Sequence, residues 1–304
     1  MKVLEVQNIS KMLSRRQIIN GISFDVNEGE IFGFLGPNGA GKTTTIRMIV
    51  GFIAPNAGSI KVMGHDIQKE RPEALKHIGA VVENPELYTY LSGRENLMQI
   101  ARVRNVDKSY VDEIVKQVEL DKRIDDKVKK YSLGMKQRLG LAASLIGKPK
   151  LLILDEPTNG LDPSGIIDFR RIVRNVARST GAAVFISSHI LSEIQMVCDR
   201  VAFINHGEIQ AVESLNEDNS EDEHENAVLV CRDKEKCRNA LKLMDNIYEF
   251  SNKEETFYLN LKKDSIPNVI FELAKKGISI DEIYKKQIAL EERYMELVEG
   301  GKRA

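Results

Sequence analysis

The run Gly36-Pro37-Asn38-Gly39-Ala40-Gly41-Lys42-Thr43 fits G-x-x-x-x-G-K-[ST], after the apolar stretch Ile31–Leu35 and before the helix-like Thr44–Val50. Glycines in such a run let successive backbone N–H groups turn inward as an anion-binding nest. The helix that follows adds the partial positive charge of its N-terminus. This spacing predicts phosphate binding. The backbone of Gly36, Asn38, Gly39, Ala40, Gly41 and Thr44 is expected to cradle the phosphates. Lys42 should reach the β- and γ-phosphates of ATP, and the Thr43 hydroxyl should ligate Mg2+.

A second group of residues completes a hydrolytic chemistry. Leu151-Leu152-Ile153-Leu154 is an apolar strand that ends in Asp155 and Glu156. Carboxylates at the C-terminal end of a parallel strand project into the ligand crevice of an α/β sheet. Asp155 is placed to hold the Mg2+ shell, and Glu156 to orient and deprotonate an attacking water.

Three further segments resemble the ABC ATPase family. Tyr131-Ser132-Leu133-Gly134-Met135-Lys136-Gln137-Arg138 is similar to its signature L-S-G-G-Q-x-Q-R, keeping Ser132, Gly134, Gln137 and Arg138 and departing at Leu133 and Met135. Ser132 and Gly134 fall at the start of a helix and so offer another N-terminus to a γ-phosphate. Asn159-Gly160-Leu161-Asp162-Pro163 is similar to the family's D-loop at the dimer seam. Ser187-Ser188-His189, after the strand Ala183–Ile186, resembles the switch histidine that senses the γ-phosphate; His65, His77, His206 and His224 lack that context. The motifs run in the family's order from Gly36 to His189.

Two departures carry information. Leu13 stands where the family has an aromatic residue that stacks on adenine, an interaction worth roughly 1–3 kcal/mol in nucleic-acid systems. Weaker adenine discrimination is the expectation. Glu83 stands where many relatives have a glutamine, replacing a neutral amide oxygen with a charged Mg2+ ligand. With Tyr131–Met135, this glutamate resembles the ATPases of bacitracin-resistance and lantibiotic-immunity exporters, and Ala289–Val298 resembles the closing helix of that subgroup.

The resemblance implies an ATP-hydrolysing subunit that binds ATP and Mg2+ and works as a homodimer or heterodimer. Each ATP would lie between Gly36–Thr44 of one subunit and Ser132–Arg138, Gln137 included, of the other. It further implies an integral membrane transporter subunit as partner, contacted near Glu83–Leu91, and a place on the cytoplasmic face of the membrane without insertion. The implied cargo is antimicrobial peptides or related amphipathic compounds. The alternative is a non-transport ABC ATPase acting on ribosomes or another macromolecular complex. Such members carry paired ATPase domains or long coiled coils, whereas this chain has one P-loop, one signature and no sustained heptads.

The elements that must position these residues follow from apolar patterning. Ile31–Leu35, Leu151–Leu154 and Ala183–Ile186 read as buried strands of a mainly parallel sheet. Segments around Leu4–Val6 and Ile22–Val26 alternate as a half-exposed antiparallel sheet does, and Gly93 to Ala143 reads as a helical subdomain. The expected fold is an α/β P-loop NTPase with antiparallel and helical subdomains, followed by a small α+β C-terminal domain. Its boundaries are expected at residues 1–216, an acidic linker over 217–226 that no apolar residue helps to pack, and an accessory domain over 227–304.

Composition excludes several other classes. The chain has 304 residues, 42% hydrophobic, with a formal net charge of -1, which argues against a nucleic-acid binder that relies on a basic face. No apolar run approaches the roughly 20 residues that span a bilayer. The cysteines Cys198, Cys231 and Cys237 form no paired pattern, which fits a reducing compartment.

Overall fold

The computed structural model describes residues 1–215, 224–253 and 256–285. The chain divides into two compact units, Met1–Asn216 and Glu217–Ala304.

The first unit opens with a long hairpin, β1 (Lys2–Leu13) and β2 (Arg16–Asn27). It is closed by Ser14 and Arg15, both at positive φ as a tight hairpin turn requires. Next come β3 (Ile31–Leu35), α1 (Lys42–Ile49), β4 (Ala57–Val62), β5 (His65–Asp66), α2 (Arg71–Lys76) and β6 (Ile78–Val81). The strands β2-β1-β4-β5 form an antiparallel sheet. Its inward residues, Val6, Ile9, Ile22 and Phe24 among them, join β3 and α1 in one buried cluster. Phe24, Phe32, Phe34 and Phe185 pack there with ring centroids 5.3 to 5.9 Å apart.

The helical stretch comprises α3 (Gly93–Arg104), α4 (Lys108–Gln117) and α5 (Leu133–Leu145). Ser92 and Glu95 satisfy the first N–H groups of α3 through a reciprocal capping box, which fixes where that helix begins. Afterwards come β7 (Leu151–Asp155), α6 (Pro163–Thr180), β8 (Ala183–Ser188), α7 (Leu191–Gln195), β9 (Arg200–Asn205) and β10 (Glu208–Ser214).

The main sheet has the order β10-β9-β3-β8-β7-β6, parallel throughout except for the edge hairpin of β9 and β10. Every residue of β3, β7 and β8 is buried, which is why they read as continuous apolar runs. The parallel order brings the C-terminal ends of β3, β7 and β8 side by side. These are the ends that carry the glycine-rich run, Asp155 and Ser188.

In the second unit, β11 (His224–Cys231), α8 (Lys234–Leu241), β12 (Ile247–Lys253), β13 (Thr256–Lys262), α9 (Ile266–Lys275) and β14 (Ile280–Lys285) follow one another. Their antiparallel sheet has the order β12-β13-β11-β14, the split β-α-β-β-α-β arrangement of ferredoxin-like folds. Ala227, Leu229, Cys231, Phe257, Leu259 and Leu261 meet Cys237, Leu241, Val269 and Leu273 in a separate core.

One expected boundary shifts. β11 begins at His224, inside the acidic segment expected as linker, because Glu225 has work in the fold. Its Oε1 accepts hydrogen bonds from the backbone N–H groups of Ser265 (3.0 Å) and Ile266 (3.4 Å), while Oε2 pairs with Lys285 Nζ at 2.9 Å. Residues 217–223 and the expected helix Ala289–Val298 lie outside the described residues.

Candidate functional site

The glycine-rich run crosses from β3 into α1 as a tight loop. Gly41 is the residue before the helix, with φ 111°, and no side chain caps the first turn. A Cβ at Gly41 would lie 2.4 Å from Ile19 Cδ1, so only glycine lets the loop rest on β2. The first N–H groups of α1 have no intrahelical acceptor and are aimed outward. They open onto a groove of about 540 Å³ lined by Asn38, Gly39, Gly41, Lys42, Thr43 and Thr44, together with Arg16, Gln17, Ile18, Glu156 and His206. Gly36 and Ala40 are buried beneath the loop.

Lys42 is buried and its Nζ donates to the carbonyls of Gly36 (2.8 Å) and Pro37 (3.2 Å). The same nitrogen lies 3.1 Å from Glu156 Oε1. The other Glu156 oxygen, Oε2, is 3.0 Å from His189 Nδ1. One carboxylate thus bridges Lys42 and His189 beside the groove. Ser187 sets this group in place. Its Oγ donates to Asp155 Oδ1 at 2.6 Å and accepts from the Glu156 backbone N–H at 2.9 Å.

Burial pushes the Asp155 carboxyl above its ordinary value, and the charges of Glu156 and Glu83 push it the same way, against the Ser187 and Thr43 hydroxyls. Its Oδ2 is buried without a hydrogen-bond partner. The residues therefore fit a hard divalent cation. An oxygen-only donor set of Thr43 and Asp155, short of a full cage, is what Mg2+ takes when phosphate and water oxygens complete its shell. Thr43, Asp155 and Glu156 share a cavity of about 370 Å³ with Glu83, Asn84, Gln137 and Asn159.

Three expected site residues sit differently from their sequence reading. Glu83 borders that cavity, but its carboxylate pairs with Arg47 Nη2 at 2.5 Å and its side chain is 57% exposed. Among the described residues no three His, Cys, Asp or Glu side chains gather as a metal cage. Leu13, 42% exposed at the hairpin tip, is not among the residues lining the phosphate groove; Arg16, Gln17 and Ile18 are. Gln137, expected to face a partner's nucleotide, is 3% exposed and lines the cavity of its own chain. The helical period turns it to the opposite side from the exposed Ser132.

His206, set aside in the sequence for lack of motif context, lines the groove from the turn between β9 and β10. His206 and Gly207 both hold left-handed φ in that turn, 49° and 80°.

Ser132 caps α5, accepting from the Met135 N–H at 3.3 Å. Gly134 has only Leu161 nearby, 3.8 Å from where its Cβ would stand, so this helix start faces open space beside the D-loop. Asp162 caps α6 in turn by accepting from the Gly165 N–H. The segment after Glu83 also borders a second, mostly apolar cavity of about 360 Å³ that includes Phe52, Val82, Pro85, Leu87, Tyr88 and Ile100.

A P-loop on a parallel sheet, carboxylates at the end of the neighbouring strand and an open signature helix together define a nucleotide-hydrolysing cassette. A family model described as ABC transporter matches residues 19–159. The ABC transporter ATP-binding protein YhcH of Bacillus subtilis (strain 168) is 46% identical over 296 residues, covering 97% of this chain and 95% of that protein. The bacitracin transport ATP-binding protein BcrA of Bacillus licheniformis is 36% identical over 304 residues, covering 98% of each. Among solved structures, cbiO1 from Clostridium perfringens, part of the ABC transporter complex cbiONQ, is similar with a TM-score of 0.66 at 25% identity, covering 80% of this chain and 96% of that one. The chain belongs to the ATP-binding proteins of ABC transporters, the ATPase subunits of membrane transport complexes. Among the described residues no helix is long and apolar enough to cross a membrane.

Proposed function

We propose that the chain drives an exporter of antimicrobial peptides or related amphipathic compounds, hydrolysing ATP at two composite sites of a dimer on the cytoplasmic face of the membrane. BcrA, named for bacitracin transport, matches along nearly the whole chain and supports this cargo class. ATP would lie with its phosphates on the α1 N-terminus and extend along Arg16–Ile18. The open start of α5, at Ser132 and Gly134, would complete the partner's site. A helix N-terminus that faces open space beside the D-loop is the geometry such a half-site needs.

The observation that carries the hydrolytic reading is the Glu156 carboxylate, held between Lys42 Nζ and His189 Nδ1. Glu156 takes the proton of the attacking water, and His189 orients that carboxylate and follows the γ-phosphate. Lys42 turns from the Gly36 and Pro37 carbonyls to the β- and γ-phosphates. Thr43 and Asp155 would hold Mg2+, which neutralises charge on the phosphate oxygens when bound. Glu83, paired with Arg47, joins that shell only by leaving its arginine. The apolar cavity beside Pro85 and the exposed Phe52 and Tyr88 receive a cytoplasmic helix of the membrane subunit.

Replacing Glu156 by Gln keeps the side chain's size and removes its basicity. The expected result is ATP-dependent dimers that survive gel filtration, with turnover reduced by about 100-fold or more. Wild-type hydrolysis in that variant would refute the general-base role.

A further inference from the structure

Among the buried side-chain oxygens of the described residues that have no hydrogen-bond partner, Asp155 Oδ2 and Gln137 Oε1 belong to residues lining one cavity. The residues are 2% and 3% exposed. Neither oxygen can satisfy the other, because a carboxylate and an amide oxygen only accept. A donor that enters the cavity can answer such oxygens, and the surrounding Glu83, Glu156 and Asp155 carboxylates favour one carried by a cation.

Gln137 belongs to the helix that begins at the signature turn. Further along α5, a Cβ at Gly140 would lie 2.7 Å from both Cβ and Cγ of Pro85, so glycine lets α5 rest directly on the segment after Glu83. One helix therefore touches the Ser132–Gly134 turn, the Asp155 cavity and the Glu83 segment.

We propose that Gln137 is a positioning residue for the divalent cation of its own chain's site, its Oε1 accepting from a water of the cation's shell. Through α5 it ties the filling of that site to the setting of the Ser132–Gly134 turn. The inference rests on Thr43 and Asp155 being the metal residues. Its consequence is cooperativity, since the turn that serves the partner's nucleotide is set by the chain's own cation.

The test is Mn2+ binding to the full chain, followed by electron paramagnetic resonance with a β,γ-imido ATP analogue present. Gln137→Met keeps the length and loses the amide; Mn2+ affinity should fall about tenfold or more. Gln137→Glu, which keeps an acceptor oxygen, should bind Mn2+ at least as well as the unaltered chain. Nucleotide binding in EDTA should be the same for all three, and the Hill coefficient for ATP hydrolysis should fall toward one in Gln137→Met. Unchanged Mn2+ affinity in Gln137→Met, or equal losses in both variants, overturns the positioning role. A weakened Mn2+ site with an unaltered Hill coefficient overturns the coupling through α5. Asp155→Asn separates the premises. If it too binds Mn2+ normally, the metal site itself is misassigned; if it alone loses Mn2+, only the Gln137 inference falls.

Discussion

Glu156 and Glu83 both hold left-handed backbone angles, φ 45° and 62°, which residues with a Cβ rarely adopt. Each such angle costs roughly 1–3 kcal/mol and persists only where the surroundings over-determine it. At Glu156 the surroundings are Ser187, whose carbonyl oxygen and Oγ both accept from the Glu156 N–H, at 3.2 and 2.9 Å. Ser187→Ala removes one of these bonds and the bond to Asp155 Oδ1, leaving buried polar groups unmet. It should cost about 1–3 kcal/mol of stability. With Asp155 holding the cation as proposed, turnover should also fall about tenfold, the usual penalty for losing a residue that orients a metal ligand. A melting curve and a steady-state rate check both, and unchanged values would show that Ser187 orients nothing. The P-loop, Asp155, Glu156 and His189 were legible because each sits in a contiguous motif. The work of Ser187 was not, because it depends on the β7–β8 register that sets Asp155 opposite Ser187. The placement of Gln137 in a cavity of its own chain was not legible for a related reason. A motif letter says which residue is kept, while the helical phase and packing of α5 decide which way it looks.

Elements are joined at this scale by charge as well as by apolar contact. Arg171 on α6 takes both oxygens of Glu119, just beyond α4, while Arg138 on α5 binds Asp168 on α6 at 3.0 Å. The Arg171 guanidinium hydrogen-bonded to Glu119 holds that carboxyl below its ordinary 4.5. A carboxyl whose folded value is depressed stabilises the fold above its unfolded value, and that stability disappears as pH falls through the folded value. Glu119→Gln should therefore lower the melting temperature at pH 7 by no more than about 2 °C, the pair being half exposed. The gap to the unaltered chain should close as pH drops below 4.5, the carboxyl's ordinary value, and a gap that widens in acid would contradict the assignment. Helical spacing made α3 and its neighbours readable in advance, and continuous apolar runs did the same for β3, β7 and β8. The full β1–β2 hairpin was hidden. Its turn is Ser14-Arg15 rather than a glycine-bearing pair, so nothing marked the reversal that brings Arg16–Ile18 to the phosphate groove.

At the scale of the whole molecule, two separate cores imply two cooperative unfolding units. The ferredoxin-like order of the second unit could not be read without β12, whose Ile247–Lys253 sequence mixes Glu249, Ser251 and Asn252 with its apolar residues. Among the described residues it pairs with β13 alone, at the sheet edge, where polar residues are tolerated and the apolar signal fades. Phe257, fully buried on β13, anchors that core. Phe257→Ala should destabilise the second unit by about 3–5 kcal/mol, the usual penalty for truncating a buried phenylalanine. Scanning calorimetry should then show one transition moved down and one unmoved. Saturating ATP should raise only the unmoved transition, by about 2.7 kcal/mol at a hundred times Kd, because the residues lining the groove proposed for ATP all lie within Met1–Asn216. ATP turnover of the variant should stay within twofold of the unaltered chain below its first transition. A single transition that shifts as a whole would mean that the two cores unfold together, and the second unit would then be a structural support for the motor.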